Sequence, residues 1–375
     1  MRIGIDGNEA NIKRRVGVNV YAFELLRSIY QLQTEKSAKE QFTIFLKSAP
    51  LPHLPPESDF WHYQILPDRP LWVVTSLSSH LFFNYFSNKR LDLFFTPGHY
   101  APPLTLMTKI CSIMDLGYLE FSDQFTKYDY WQLRLWSAWS ILTSKRILTI
   151  SKASKRDILR HYPSSQGKVT VTYPAFDKNI FNQGTKVEKK ILKKYRIQGK
   201  YILFLSTLKP SKNILGLLTA WKYIESQFPD TKLVIAGKKG WLYGDIFIRT
   251  KELGLTKRVV FTDFVSEEDK PSIIAGAKVF VLPSFWEGFG LDIVSALSCG
   301  VPVTCSSRGS LPEVVGDAGL MFNPEDPREI SEKISYILRM SKKDYNKLAR
   351  SGAKQADKFS WEATASETLK IFELL

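Results

Sequence analysis

Short apolar runs alternate with amphipathic stretches of helical period twice along this chain of 375 residues. The first series opens with RIGID (2–6). A glycine-containing loop through KRRVGVNVY (13–21) leads to a helix, YAFELLRSIYQL, whose Phe23, Leu25, Leu26 and Ile29 recur at helical spacing. FTIFL (42–46), LDLFF (91–95), KICSIM (109–114) and RILTIS (146–151) follow as strands with helices between them. The second series runs through YILFLS (201–206), KLVIAG (232–237), VVFTDFV (259–265), KVFVLPS (278–284), VPVTCS (301–306) and GLMFN (319–323). Strands that read as continuous apolar runs, each followed by a helix, build parallel sheets covered on both faces. The expected class is therefore α/β, with two doubly wound domains over residues 1–180 and 195–357. The polar, lysine-rich segment 174–199 reads as a linker with a short helix. The C-terminal stretch 358–375 is expected to pack back on the first domain.

In open sheets of this kind ligands bind beyond the carboxyl ends of the strands. Two such domains facing each other leave a central cleft, a preferred ligand site. The loop after KVFVLPS reads FWEGFGL, and it places Glu287 directly before Gly288, Phe289 and Gly290. Glycines there let a backbone approach a ligand closely. The helix that starts near Leu291 directs unsatisfied N–H groups and a positive dipole at the same spot, which suits a diphosphate. Glu287 is better matched to neutral hydroxyls, as on a sugar; the plain alternative is a strand-to-helix turn with an acidic first residue. The loop LSTLKPSKN (205–213) sits in the same relation to its strand and helix. It offers Lys212 as a point charge for phosphate oxygens, with Lys209 beside it; the plain alternative is a solvated charged loop.

The 52 Lys and Arg against 37 Asp and Glu give a net charge of +15, which favours an anionic partner. The stretch 128–162 concentrates Lys145, Arg146, Lys152, Lys155, Arg156 and Arg160 after Trp131, Trp136 and Trp139. The stretch 71–90 (LWVVTSLSSHLFFNYFSNKR) is similar. One reading is a surface that meets anionic lipid headgroups. The reading favoured for the tryptophans is a core face with solvated lysines opposite. No nucleic-acid-binding signature interleaves with these residues, so nucleic acid is not an expected partner. Three cysteines make no disulfide framework or zinc spacing, the start MRIGIDGNE is no signal peptide, and no run of 18 apolar residues occurs. A cytoplasmic protein, peripheral at the inner face of a membrane if the basic surface is used, is the expectation.

The order and spacing of LSTLKPSKNILGLLTAW, KLVIAGKKGWLYGDI, VVFTDFVSEEDKPSIIAGAKVFVLPSFWEGFGL, SCGVPVTCSSRGSLPEVVGDAGLMFNPED and FSWEATASETL resemble glycosyltransferase family four, the group 1 glycosyl transferases. RIGIDGN, RVGVNVYAFELL, TPGHYAPP (96–103), MDLGYLEF (114–121) and ISKASKRDI (150–158) extend the resemblance over nearly the whole chain. It implies the GT-B fold: two Rossmann-like domains, the first for the acceptor and the second for the donor. It also implies a retaining hexosyltransferase that uses a nucleotide-diphosphate sugar and a sugar or lipid-linked hydroxyl acceptor, in cell-surface polysaccharide or glycolipid synthesis. No cofactor is implied, and the lack of an Asp-x-Asp motif fits a metal-independent enzyme.

Carried over by position, Lys212 and Glu287 are the implied catalytic residues. Lys212 holds the diphosphate and Glu287 the hydroxyls of the transferred sugar. The backbone of Gly288, Phe289, Gly290 and Leu291 caps the distal phosphate, and Gly17 approaches it from the first domain. Ser295, Asp292 and Val265 fall at the nucleoside, and His99, Met114 and Asp115 on the acceptor side. The resemblance implies no protein nucleophile: the acceptor hydroxyl attacks on the leaving-group face and the departing phosphate takes its proton.

Three positions depart from the family pattern. Ser295 stands where a second glutamate grips the ribose, and Asp292, one turn away, is either a substitute or a plain acid at the helix start. Met114 stands where a histidine is common. Thr207 or Ser211 occupies the place of a phosphate-binding arginine, which leaves Lys212 to act with Lys209, Arg14 or Arg15. These departures keep a second reading open, a weakened or inactive GT-B protein that binds nucleotide or glycan.

Overall fold

The computed structural model describes residues 1–15, 17–36, 39–122 and 125–375. Val16, within the loop of the first expected βα unit, lies outside them. The chain divides into two compact units, residues 1–174 with 360–375, and residues 175–359.

The first unit holds a seven-stranded, all-parallel sheet in the order β3-β2-β1-β4-β5-β6-β7. Its strands are β1 (Arg2–Asp6), β2 (Gln41–Leu46), β3 (Trp61–Ile65), β4 (Leu93–Thr96), β5 (Thr108–Ile113), β6 (Arg146–Thr149) and β7 (Val169–Val171). The second unit repeats the plan with six parallel strands in the order β10-β9-β8-β11-β12-β13. They are β8 (Lys200–Leu205), β9 (Thr231–Ala236), β10 (Val259–Phe261), β11 (Val279–Leu282), β12 (Val303–Ser306) and β13 (Leu320–Phe322). In both sheets the chain steps outward over three strands and then returns to the other side of the first, so β1 lies beside β4 and β8 beside β11. At such a switch point the two following loops diverge and leave a crevice.

Central strands are buried on both faces, as in β4 (LFFT) and β11 (VFVL), because helices cover both sides. Edge strands are shorter or more polar. β3 (WHYQI) buries only Trp61 fully and was not expected, and neither was β7. β10 ends at Phe261 rather than at 265, which puts Val265 in the loop that follows. The segment 174–199 is not a free linker. Its helix Lys189–Lys194 belongs to the second unit, the Glu188 N–H donates to Ser272 Oγ at 2.7 Å, and the Phe181 carbonyl accepts from Ser298 Oγ at 2.7 Å.

The helix Lys127–Thr143 reverses the expectation for its tryptophans. Trp131 is 51% exposed and Trp139 44% exposed. With Tyr128, Leu135 and Leu142, also exposed, they form one stripe at a spacing of three and four residues. The buried side carries Ser137, Ser140 and Ile141. Ser140 explains the inversion: its hydroxyl donates to the His99 carbonyl at 2.7 Å and accepts from the Ala101 N–H at 2.9 Å. The inward face satisfies the backbone of the loop after β4, which a large aromatic there could not do. Phe83 and Phe86, in the second aromatic stretch, are exposed as well. Among the described residues no helix is long and apolar enough to cross a membrane.

The helix Trp361–Glu373 belongs to the first unit. Trp361 lies 6.0 Å from Tyr21 between ring centroids, Phe372 lies 5.3 Å from Phe95, and Thr364 Oγ1 donates to the Tyr173 carbonyl. Phe372 is fully buried. Phe372→Ala should destabilise the first unit by about 3–5 kcal/mol, the usual cost of emptying a buried aromatic site. In urea the transition of the first unit should move to lower concentration while that of the second stays in place.

Candidate functional site

The switch point of the second unit is bridged by one ion pair. Lys212 ends a 3₁₀ turn, Pro210–Lys212, in the loop after β8, and Glu287 lies in the loop after β11. Lys212 Nζ stands 2.5 Å from Glu287 Oε1, with only 10% and 12% of the two side chains exposed. Ser284 Oγ donates to the same Oε1 at 2.6 Å and is fully buried. The loops are also joined through their backbones, the Phe285 N–H donating to the Ser211 carbonyl at 2.9 Å.

Each loop is held from outside. Asn213 adopts a left-handed conformation (φ 52°), caps the helix Ile214–Ile224 through the Gly216 N–H, and donates from Nδ2 to the Pro324 carbonyl at 2.6 Å. The Glu287 carbonyl accepts from the Ser310 N–H at 3.2 Å and from Ser310 Oγ at 3.0 Å. Gly309, at φ 64°, fits beneath it: a Cβ there would lie 2.9 Å from the Glu287 carbonyl oxygen. Gly290 begins the helix Leu291–Ser298 at φ 97°, which only glycine adopts without strain. No side chain caps that helix, so its first N–H groups remain directed at the loop. Gly288 and Phe289 are buried, Phe289 standing edge-on to Phe359 at 5.2 Å.

The implied nucleoside residues lie on or near that helix. Ser295 is buried and its hydroxyl donates back to the Leu291 carbonyl at 3.3 Å. Asp292 faces Lys270 at 3.8 Å, and Lys270 also meets Glu267 at 2.7 Å. Burial pushes the Asp292 carboxyl above its ordinary value against the pull of Lys270. Burial alone would lower Lys270, but Asp292 and Glu267 hold it above the usual lysine value. Val265 is buried between β10 and the helix Lys270–Ala275.

The remaining sequence-predicted residues belong to the first unit. Gly17 starts the helix Val18–Glu35 at φ 50°, and a Cβ there would meet nothing within 4 Å. His99 follows β4, and Met114 and Asp115 follow β5. Burial lowers the His99 pKa, opposed by Asp115, which marks the two as neighbours, and His99 Nδ1 is buried without a hydrogen-bond partner. Met114 is buried, and Asp115 accepts from the Gly117 N–H at 2.8 Å.

Sequence reasoning missed Ser284, Ser310 and Lys270. Nothing in their local pattern sets them apart; only the folded loops bring them to Glu287 and Asp292. It also missed Glu9 at the end of β1. Burial raises its pKa, as does Asp6, and it accepts from Asn19 Nδ2 at 2.5 Å.

The fold is that of the GT-B glycosyltransferases. A solved structure of Anabaena HepE in complex with UDP and glucose superposes over 100% of both chains with a TM-score of 0.77 at 17% identity. Residues 187–355, which lie in the second unit and include the Lys212–Glu287 bridge, match the family model for glycosyl transferases group 1. The chain is 37% identical over 245 residues, 63% of its length, to O-antigen chain mannosyltransferase B of Escherichia coli. It is 28% identical over 234 residues, 61% of its length, to the serotype-specific mannosyltransferase WbdA of Escherichia coli. The matched stretches span 62% and 29% of those two relatives.

Removing one member of a buried ion pair strands the other, at a cost of about 3–5 kcal/mol. Lys212→Met should destabilise the second unit by that amount, and adding Glu287→Gln should restore part of it. A urea double-mutant cycle reads the coupling; additive losses would show that the pair does not act as a unit.

Proposed function

We propose that the chain is a retaining, metal-independent glycosyltransferase. In this reading it moves a hexose from a nucleotide-diphosphate sugar to a sugar or lipid-linked hydroxyl, in polysaccharide or glycolipid synthesis. The observation that carries it is the Lys212–Glu287 bridge across the switch point of a group 1 domain, beside an uncapped helix start. The two charges suit the two ends of such a donor. Lys212 and the N–H groups after Gly290 stabilise the negative charge that grows on the leaving diphosphate, the main chemical demand of the transfer. Glu287, its Oε1 engaged by Lys212 and Ser284, keeps Oε2 to accept from a sugar hydroxyl. The phosphates meet their charge on Lys212 and the helix start, so no metal is required. Retention follows if the acceptor hydroxyl attacks from the leaving-group face and passes its proton to the departing phosphate.

A specific observation supports the weaker alternative, a protein that binds nucleotide or glycan with little transfer. Ser295 offers no carboxylate to the ribose, and its hydroxyl is already engaged. One experiment separates the readings: a thermal-shift and hydrolysis panel with UDP, GDP and ADP and their sugars, including GDP-mannose. Selective stabilisation by one nucleotide is expected. Glu287→Ala should keep that stabilisation and lower transfer or hydrolysis about 10²–10³-fold. Stabilisation without any turnover would favour the binding protein, and no stabilisation by any nucleotide would sink both.

The acceptor side is proposed to work at an acidic membrane surface. The outward stripe of Trp131, Leu135 and Trp139 supports this, flanked by Arg134, whose guanidinium carbon lies 5.1 Å from the Trp131 ring centroid. The net charge of +15 adds attraction to anionic headgroups. Co-sedimentation with acidic vesicles should be strong at low salt and weaker at high salt, and Trp131→Ser with Trp139→Ser should reduce it. Equal pelleting with neutral vesicles would remove the charge argument.

A further inference from the structure

In the second unit the loop after β10 bends over the carboxyl end of β9. Asp263 turns it at φ 56°, a left-handed conformation, and its carbonyl accepts from the Gly237 N–H, just beyond β9, at 3.0 Å. The turn that follows is locked by one carboxylate. Asp269 accepts from Lys194 Nζ at 2.6 Å, from the Tyr195 hydroxyl at 2.7 Å and from Ser266 Oγ at 2.9 Å. The N–H groups of Asp269 and Lys270 both donate to the Ser266 carbonyl at 3.1 Å. Glu267 and Lys270 are thus presented from a fixed frame.

Their charges meet Asp292 in the first turn of the helix Leu291–Ser298. Lys270 Nζ stands 2.7 Å from Glu267 Oε1 and 3.8 Å from Asp292 Oδ1. Asp292 is in turn within electrostatic reach of Glu287 and Lys212, so this group of charges adjoins the bridge at the switch point. Two carboxylates around one ammonium leave an excess of negative charge, which disfavours a phosphate there. The neighbouring acids do not alter that sign: Glu268 is exposed, and Asp269 is answered by Lys194. The Lys270 side chain is mostly buried. That of Glu267 is 42% exposed, and no hydrogen bond or ion pair engages its Oε2 among the described residues.

We infer that Glu267 and Lys270 read the base of the donor nucleotide, and that this base is guanine. The inference rests on the nucleotide-sugar reading and names its nucleotide. A carboxylate only accepts hydrogen bonds, at two oxygens, and an ammonium only donates them. Side by side they match an edge that carries two adjacent N–H donors and then a carbonyl. Guanine has that edge in its 2-amino group, N1–H and O6. Uracil sets one N–H between two carbonyls and would turn an oxygen against the carboxylate. Adenine sets its amino group beside a bare ring nitrogen, which a carboxylate repels. Glu267 accepts from guanine N1 and the 2-amino group while Lys270 donates to O6, all charge-assisted bonds. The Ser295 hydroxyl is turned back to the Leu291 carbonyl, so the base contacts carry a larger share of nucleotide affinity than a gripped ribose would leave them.

The test titrates the full chain with GDP, IDP, ADP and UDP by isothermal calorimetry. GDP should bind most tightly. IDP, which lacks only the 2-amino group, should bind about 10–100-fold more weakly, the loss of one hydrogen bond to a charged group. Glu267→Gln keeps the shape of the side chain and replaces one acceptor oxygen by a donor. It should weaken GDP by a similar factor, remove most of the preference for GDP over IDP, and leave ADP and UDP nearly unchanged. Lys270→Gln should weaken GDP and IDP together, because both carry O6. Melting curves of the nucleotide-free variants report their folded state, and the GDP to IDP ratio reports the contact itself. Tighter binding of UDP or ADP than of GDP to the wild type would overturn the inference and leave the nucleotide-sugar reading standing. An unchanged GDP to IDP ratio in Glu267→Gln would do the same, whereas failure of every nucleotide to bind would overturn both.

Discussion

The contact between Lys212 and Glu287 is the constraint around which the second unit is arranged. Two opposite charges with little exposure are costly unless held in close register, and one partner alone would be a liability. The neighbouring structure supplies that register. Asn213 fixes the loop on one side through the Pro324 carbonyl, Ser284 fixes the carboxylate, and Ser310 over Gly309 fixes the backbone that carries it. The sheet order makes the meeting possible, because only adjacent strands whose connections run in opposite directions bring two such loops together without a helix between them.

The same topology in the first unit carries a different set of side chains at its switch point. Its switch point lies between β1 and β4, and the following loops carry Glu9 and Gly17 on one side and His99 and Tyr100 on the other. The buried Asp6, the half-buried Glu9 and His99, whose pKa burial lowers, stand there instead. A phosphate needs concentrated positive charge, whereas a glycan needs hydroxyl acceptors and ring faces.

The central strands were legible in the sequence because burial on both faces demands unbroken apolar runs, as in YILFLS and KVFVLPS. The edge strands were not: β3 and β7 carry polar residues or are only a few residues long, and β10 ends earlier than its apolar run. Glu287 and Lys212 were legible through their place between strand and helix, and their ion pair was not, since no spacing links residues 75 apart. The tryptophans of the helix Lys127–Thr143 misled because hydrophobicity alone assigns them to a core. Ser140 decided the orientation, through hydrogen bonds to a loop forty residues away in sequence.

The helix Trp361–Glu373 gives the chain an order of assembly. Residues 1–174 leave the ribosome before residues 175–359, yet the surface that receives Phe372 and Trp361 waits until both have been translated. During that interval Phe95 and Tyr21 lack their final covering, and the second unit is complete before the first is sealed. The apolar faces of Phe95 and Tyr21 thus stay uncovered while a whole second unit is synthesised, the condition under which exposed hydrophobic surface invites aggregation.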